Sequence, residues 1–348
     1  MKVLFAIDSQ SVSNPFVSTI CESLRSKGIE VKINLNELWT NIEAYDIVHF
    51  QWPEAIYLWK KAISKEQVLR LSNLLQKAKK NNTKIAITCH NLKPHTITDS
   101  NVISLYDIIY QNGDLFLHMG SYSLELLKEK YPKAQHYILP HHIYDTIYKF
   151  EKQKDLCRKH LGIPNQDFCI LCFGEFRTEE ERNLILELKK KIGKGIVFST
   201  PGFFRKRLLS KSLMRSIQNI IKFVKYRKNG IKFSQKFINT TDTERYFCAA
   251  DVVMIQRIDI LNSGNLPLAF AAGKVVIGPD KGNVGEILRQ TGNPTFTPTN
   301  PDSIIDAINK AQELVFLGKG QWNKAYAEKY WTTNIIAQQL IYYYNQIL

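Results

Sequence analysis

Short runs of apolar residues recur along this chain, each followed by a longer stretch in which apolar side chains return every three or four positions. Runs of this length suit strands buried on both faces of a parallel sheet, and the stretches between suit its crossover helices. In the first half the predicted strands are KVLFAI, GIEVKIN, YDIVHFQW, KIAITCH, DLFLHMG and HYILP, with helices over 14–27, 65–81 and 123–130. After HHIYDTIYKFEKQKD the alternation starts again with FCILCFG, GIVFST, IKFSQKF, DVVMIQR, KVVIGP and PTFTP, separated by helices that include 179–191, 243–250 and 266–272. The pattern predicts an α/β protein of two Rossmann-like, doubly wound domains, and 348 residues are enough for two cores of ordinary size. The boundary is expected between 145 and 160, giving an N-terminal domain at 1–150, a second at 151–330 and a terminal helix at 331–348 after a helix over 301–317.

No apolar run approaches the roughly 18 residues needed to span a bilayer, and the opening MKVLFAIDSQ turns polar too soon for a signal peptide. A cytoplasmic protein is expected. Six cysteines are scattered, and the one Cys-x-x-Cys, Cys169 with Cys172, lies in a predicted buried strand, so packing is the expected role rather than thiol or metal chemistry. The formal charge of +15 calls for an anionic partner. Much of it gathers in FFRKRLLSKSLMRSIQNIIKFVKYRKNGIK, residues 203–232, where basic and apolar residues alternate at helical spacing. Two readings stay open here, a helix lying on an anionic membrane surface and a domain-surface helix with one buried face.

In a doubly wound sheet, ligands bind beyond the carboxyl ends of the strands, so the residues after each strand are the candidates for chemistry. After DVVMIQR comes Asn262-Ser263-Gly264-Asn265, small and polar, directly before a helix whose first N–H groups can receive a diphosphate. Capping by Ser263 or Asn265 is the alternative. Gly273 ends that helix, VVIGP follows, and Asp280-Lys281-Gly282-Asn283 opens onto Val284-Gly285-Glu286. This order of helix, glycine, strand, glycine turn and glutamate resembles the donor-binding core of retaining GT-B glycosyltransferases, closely over 240–290 and elsewhere by topology. The resemblance implies two domains facing across a cleft, a C-terminal helix crossing back to the first domain, and a nucleoside-diphosphate sugar as substrate with no cofactor. Two glutamates eight positions apart mark that family, and their equivalents here, near Leu261 and at Ala269, are not acidic. In this the chain resembles a divergent branch used in exopolysaccharide and capsule synthesis, which leaves Glu286 for the ribose contact, with a helix-start glutamate favoured by the dipole as the alternative.

Phe173-Gly174-Glu175-Phe176-Arg177 stands at a second strand end, where the same enzymes use a glycine and basic side chains on the diphosphate. Arg177 offers a planar fork matched to phosphate oxygens, with Arg182 second; pairing of these arginines with Glu179, Glu180 and Glu181 is the structural alternative. In the first half, His49-Phe50-Gln51-Trp52-Pro53-Glu54 and Cys89-His90-Asn91-Leu92-Lys93-Pro94-His95 resemble acceptor-side and sugar-side loops, with His90 implied as the sugar contact and His49, Trp52 and His95 on the acceptor side. Asp8, Glu54 and Asp99 are the loop carboxylates available as general base for an inverting mechanism; retention, which the donor core favours, needs none. With no Asp-x-Asp and no His-x-x-x-His pair, no metal is expected.

The expected activity is transfer of a hexose to a hydroxyl of a growing glycan, lipid-linked if the basic helix meets a membrane. A GT-B nucleotide-sugar epimerase or hydrolase would share the fold. A non-catalytic nucleotide or nucleic-acid binder would account for the missing glutamates, although no RNA-recognition signature is present and nucleic acid is not an expected partner.

Overall fold

The computed structural model describes residues 1–8, 15–94, 99–204, 209, 212–228, 231–234 and 238–348. They form two compact units, one made of 1–146 with 330–348 and the other of 147–329.

The first unit carries strands β1 (Lys2–Phe5), β2 (Glu30–Ile33), β3 (Ile47–Phe50), β4 (Lys84–Thr88), β5 (Leu115–His118) and β6 (Gln135–Ile138). All pair in parallel in the order β2-β1-β3-β4-β5-β6. Helices α1 (Phe16–Ser26), α2 (Leu35–Thr40), α3 (Lys65–Lys80), α4 (Ser100–Gln111) and α5 (Ser121–Lys130) connect them. Three of the starts have a side-chain cap: Asn34 Oδ1 accepts from the N–H groups of Asn36 and Glu37 at α2, Ser64 and Gln67 close a capping box at α3, and Asp99 accepts from Val102 at α4. Every residue of β3 and β5 is buried, because helices cover both faces of the sheet.

The second unit opens with α6 (Lys154–Leu161) and β7 (Phe168–Leu171), continues through α7 (Glu179–Lys191), β8 (Ile196–Ser199), α8 (Leu213–Lys228), α9 (Thr240–Ala249) and β9 (Val252–Met254), then α10 (Asn265–Ala271), β10 (Val275–Pro279), α11 (Gly282–Gln290), β11 (Thr295–Phe296) and α12 (Pro301–Phe316). Its parallel sheet runs β11-β10-β9-β7-β8. Arg158 is the largest buried polar side chain here. Its guanidinium bonds the carbonyls of Ala249, Asn165 and Asp167 and the Asp251 carboxylate, pinning α6 to the lower end of β7 and β9. All six cysteines are free and buried, and burial pushes the Cys169 thiol up to about 12, which fits packing rather than thiolate chemistry.

Helix α13 (Lys319–Tyr330) leads the chain to α14 (Thr333–Asn345), which belongs to the first unit. The terminal helix crosses back as the resemblance implied. Asp145 holds its start by accepting from the Thr333 N–H and hydroxyl, Ile143 donates to the Trp331 carbonyl, and buried Ile336, Leu340 and Tyr344 lie on the side that packs against α1.

Two expectations change. The run IKFSQKF is no strand among its described residues; Lys232 makes a single bridge to Ser199, and the chain there is held by Thr200 donating to the Lys232 carbonyl. Strand DVVMIQR ends at Met254, so Gln256 and Arg257 stand beyond the sheet.

Candidate active site

In the second sheet, β7 pairs on one side with β8 and on the other with β9, so the chain reverses its direction of winding at β7. That is where a doubly wound sheet opens a crevice beyond its carboxyl ends. Three segments meet there: 172–178 after β7, 255–265 after β9 and 280–286 after β10.

The first segment is held by close backbone packing. Gly174 has φ +90°, a left-handed conformation that glycine adopts at no steric cost. Phe176 N–H donates to the Gly202 carbonyl, and a Cβ on Gly202 would lie 1.9 Å from the Gly174 oxygen. Gly202→Ala is therefore expected to displace the 173–177 turn and destabilise the unit by about 3 kcal/mol, the upper range for overpacking. A urea midpoint unchanged from wild type would contradict this.

Arg182 sits 5 % exposed under the turn and donates to the carbonyls of Phe203, Thr178 and Phe176. With its fork spent on backbone, it builds the loop instead of binding a ligand, which corrects its place beside Arg177. Thr178 caps α7 by accepting from the Glu181 N–H. Glu181, almost wholly buried, accepts from the Arg177 N–H at 2.7 Å and from Arg257 Nη1 at 2.8 and 3.0 Å. One buried carboxylate thus holds the Arg177 main chain and the Arg257 guanidinium. Arg177 keeps solvent exposure while the loop walls partly desolvate its guanidinium; that desolvation first, and the Arg257 charge second, lower its pKa. Arg257 engages Glu181 through Nη1, so Nη2 and Nε lie outside that pair. Two guanidinium groups close enough to repel, with Glu181 and Glu175 as the nearby carboxylates, make a place that can receive an anion.

The three segments are stapled together. Asn265 Nδ2 and Gln256 Nε2 both donate to the Phe173 carbonyl, at 2.8 and 3.3 Å, tying the β9 loop to the β7 turn. Ser263 Oγ accepts from the Asn265 N–H, so Ser263 caps its own turn with Gly264 as the residue before α10. Neither side chain caps α10, whose N-cap is Gly264: Ser263 closes a turn on the Asn265 N–H, and the Asn265 amide braces the β7 turn. Gly282, with φ +57°, passes so near that a Cβ would meet the Ile260 carbonyl at 2.5 Å; Asn283 donates to Asn262. Glu286 lies half-buried in the first turns of α11 and accepts from Gln290 Nε2.

In the first unit the crevice position falls between β1 and β3, and the candidates stand after β1, β3 and β4. Asp8 follows β1. His90, after β4, is 8 % exposed, and Trp52 stacks on it at 4.2 Å with the planes 16° apart. The Gln51 carboxamide organises the rest. Its Nε2 donates toward His49 Nε2 and Thr88 Oγ1, so its Oε1 accepts from His90 Nε2 at 2.8 Å. His90 is then the Nε2–H tautomer, with Nδ1 as its acceptor nitrogen. His49 Nδ1 lies 2.6 Å from the Tyr344 hydroxyl, so the chain runs His90, Gln51, His49, Tyr344 and ends on α14. Burial holds both histidines neutral, at about 3.

This geometry corrects three expectations. His49 is 1 % exposed and bonded to Tyr344, Thr88 and Gln51, so it positions Gln51 and is not presented to an acceptor. Glu54 is buried and accepts from Tyr106 OH at 2.7 Å, with burial raising its carboxyl. Asp99 is spent on its cap at α4. His95 lies outside the described residues.

The residues missed were Arg257, Gln51 and Tyr344. Arg257 was legible as the first cation after β9 had the strand been ended three residues earlier. Gln51 stood inside a named motif. Nothing in the sequence pairs Tyr344 with a position 295 residues away.

No protein-family model matches the chain, and no curated protein matches it by sequence. Solved structures resemble it over nearly its whole length. Sucrose-phosphate synthase from Thermosynechococcus elongatus superposes with a TM-score of 0.72 at 14 % identity, covering 99 % of this chain and 98 % of that one. Anabaena HepE in complex with UDP gives 0.70 at 12 % identity, with coverage of 99 % and 100 %. The catalytic domain of Arabidopsis thaliana starch synthase IV, bound to ADP and acarbose, gives 0.61 at 11 %, with coverage of 99 % and 98 %.

Proposed function

We propose that this chain, which has the GT-B fold, is a glycosyltransferase that moves a hexose from a nucleoside-diphosphate sugar to a hydroxyl of a glycan in polysaccharide synthesis. The observation that carries the reading is the Arg177–Glu181–Arg257 arrangement at the reversal point of the second sheet. Structures of the same fold solved with UDP, with UDP-glucose and with ADP support a nucleotide-sugar donor. As the bond from the anomeric carbon to the diphosphate oxygen breaks, negative charge grows on that leaving group. The Arg257 guanidinium, already fixed by Glu181, and Arg177, whose backbone Glu181 holds, stabilise it with little reorganisation at the moment of reaction. Glu286 is the proposed ribose contact. His90, held by Gln51 and stacked on Trp52, is the proposed contact to the transferred sugar.

Retention fits the carboxylates better than inversion. Of the three candidate bases for inversion, Glu54 accepts from Tyr106 and Asp99 caps α4. In the retaining route the acceptor hydroxyl forms its bond on the face the diphosphate leaves, and the departing phosphate oxygen takes the hydroxyl proton. No metal enters this proposal; among the described residues no three His, Cys, Asp or Glu side chains converge as ligands.

The test is release of nucleoside diphosphate from a panel of nucleotide sugars, with and without simple glycoside acceptors. Acceptor-dependent release is expected, with His90→Asn lowering kcat by about 100-fold, the scale of one positioned hydrogen bond in the transition state. Turnover without acceptor would mean a hydrolase or epimerase, and no turnover with any pair would favour a binding protein.

A further inference from the structure

Helix α8 is set in the second unit with its apolar side outward. Leu213, Met214, Ile217, Ile220, Ile221 and Val224 are each between 42 % and 78 % exposed, and they recur at spacings of three and four, so they form one continuous stripe. The opposite side is fixed. Lys222 and Tyr226 both bond the Glu179 carboxylate on α7, and Tyr226 packs on Phe203 and Phe204. The helix cannot roll its stripe inward without breaking these bonds.

A contiguous exposed apolar surface of this kind marks an interaction site. The charge pattern selects the occupant. Residues 203–232 contain ten Lys and Arg and no Asp or Glu, and Lys225 and Lys228 stand exposed in the last turn of α8, beside Arg227, which bonds the Phe233 carbonyl. Two copies pressed together on this face would set these cations against each other with no carboxylate on the helix to neutralise them. An anionic phospholipid surface supplies both an apolar layer for the stripe and negative headgroups for the cations. We propose that α8 docks the protein in the interfacial layer of an anionic membrane, lying along it, since no helix among the described residues is long and apolar enough to cross one. The proposal does not depend on the activity assigned above.

Sedimentation of the full chain with lipid vesicles tests it. The protein is expected to pellet with phosphatidylcholine vesicles containing phosphatidylglycerol at about one-third, and not with phosphatidylcholine alone. Ile217→Ser with Ile221→Ser, at exposed positions, is expected to lower the bound fraction at least about tenfold while leaving the melting temperature unchanged. Lys225→Glu with Lys228→Glu should abolish the preference for anionic vesicles. Equal binding by the serine variant, or no pelleting of wild type with anionic vesicles, would overturn the proposal. So would light scattering showing a dimer that the serine variant dissociates while lipid binding is absent.

Discussion

The first unit is expected to lose its structure near pH 5 while the second persists. Burial holds His49, His90 and His118 at about 3 and His142 at about 4, against about 6.5 for a histidine in an unfolded chain. Between those values the unfolded state binds protons that the folded state refuses. The stability of this unit is therefore complete above about pH 6.5 and falls as the pH falls, until the folded pKa values are reached. Each histidine contributes a slope of about 1.4 kcal/mol per pH unit, and four acting together remove on the order of 8 kcal/mol by pH 5, comparable to the whole stability of a domain. Residues 147–329 hold one histidine, His160. Far-ultraviolet circular dichroism and tryptophan fluorescence followed from pH 7.5 downward should show a first transition assigned to Trp39, Trp52, Trp59 and Trp331. A flat response down to about pH 4.5 would contradict the burial of these imidazoles.

Arg257→Ala should be the most damaging single change at the donor end. It leaves Glu181, 3 % exposed, without its charged partner, and breaking a buried ion pair from one side costs about 3–5 kcal/mol. Replacing both partners, Glu181→Leu with Arg257→Met, removes the stranded charge and should recover most of that loss. Nucleotide binding should not recover, because the anion site is gone in both variants. Chemical denaturation of the two singles and the double gives the coupling directly. A double variant as unstable as Arg257→Ala would mean that the pair is not what the carboxylate is there for.

The strand framework was readable because each strand of these parallel sheets is buried on both faces and so appears as an unbroken apolar run. The same property hid the roles of His49 and Arg257. On a sheet covered on both sides, alternation does not say which way a side chain points, so His49 read as a loop residue when it closes a buried network on Tyr344. Arg257 was absorbed into an apolar run whose strand ends three residues earlier. The glycines at 174 and 282 were legible as turn residues. That Gly202 must be small because Gly174 backs onto it was not, since nothing local connects positions 28 apart. Helices α2, α4, α6 and α13 went unread as well; among them α2 and α6 are only six and eight residues long, and their places are set by caps and by Arg158 rather than by a long apolar period.

The central claim is that Arg177 and Arg257 receive the diphosphate of a nucleotide sugar. Thermal stabilisation by UDP-, GDP-, ADP- and dTDP-sugars, measured on the wild type and on Arg177→Ala, tests it most directly, because a ligand that binds only the folded state raises the melting temperature. One nucleotide family should stabilise the wild type, and the shift should vanish in Arg177→Ala, whose exposed side chain leaves the fold intact. A shift of equal size in both proteins, or none with any nucleotide sugar, would contradict the account.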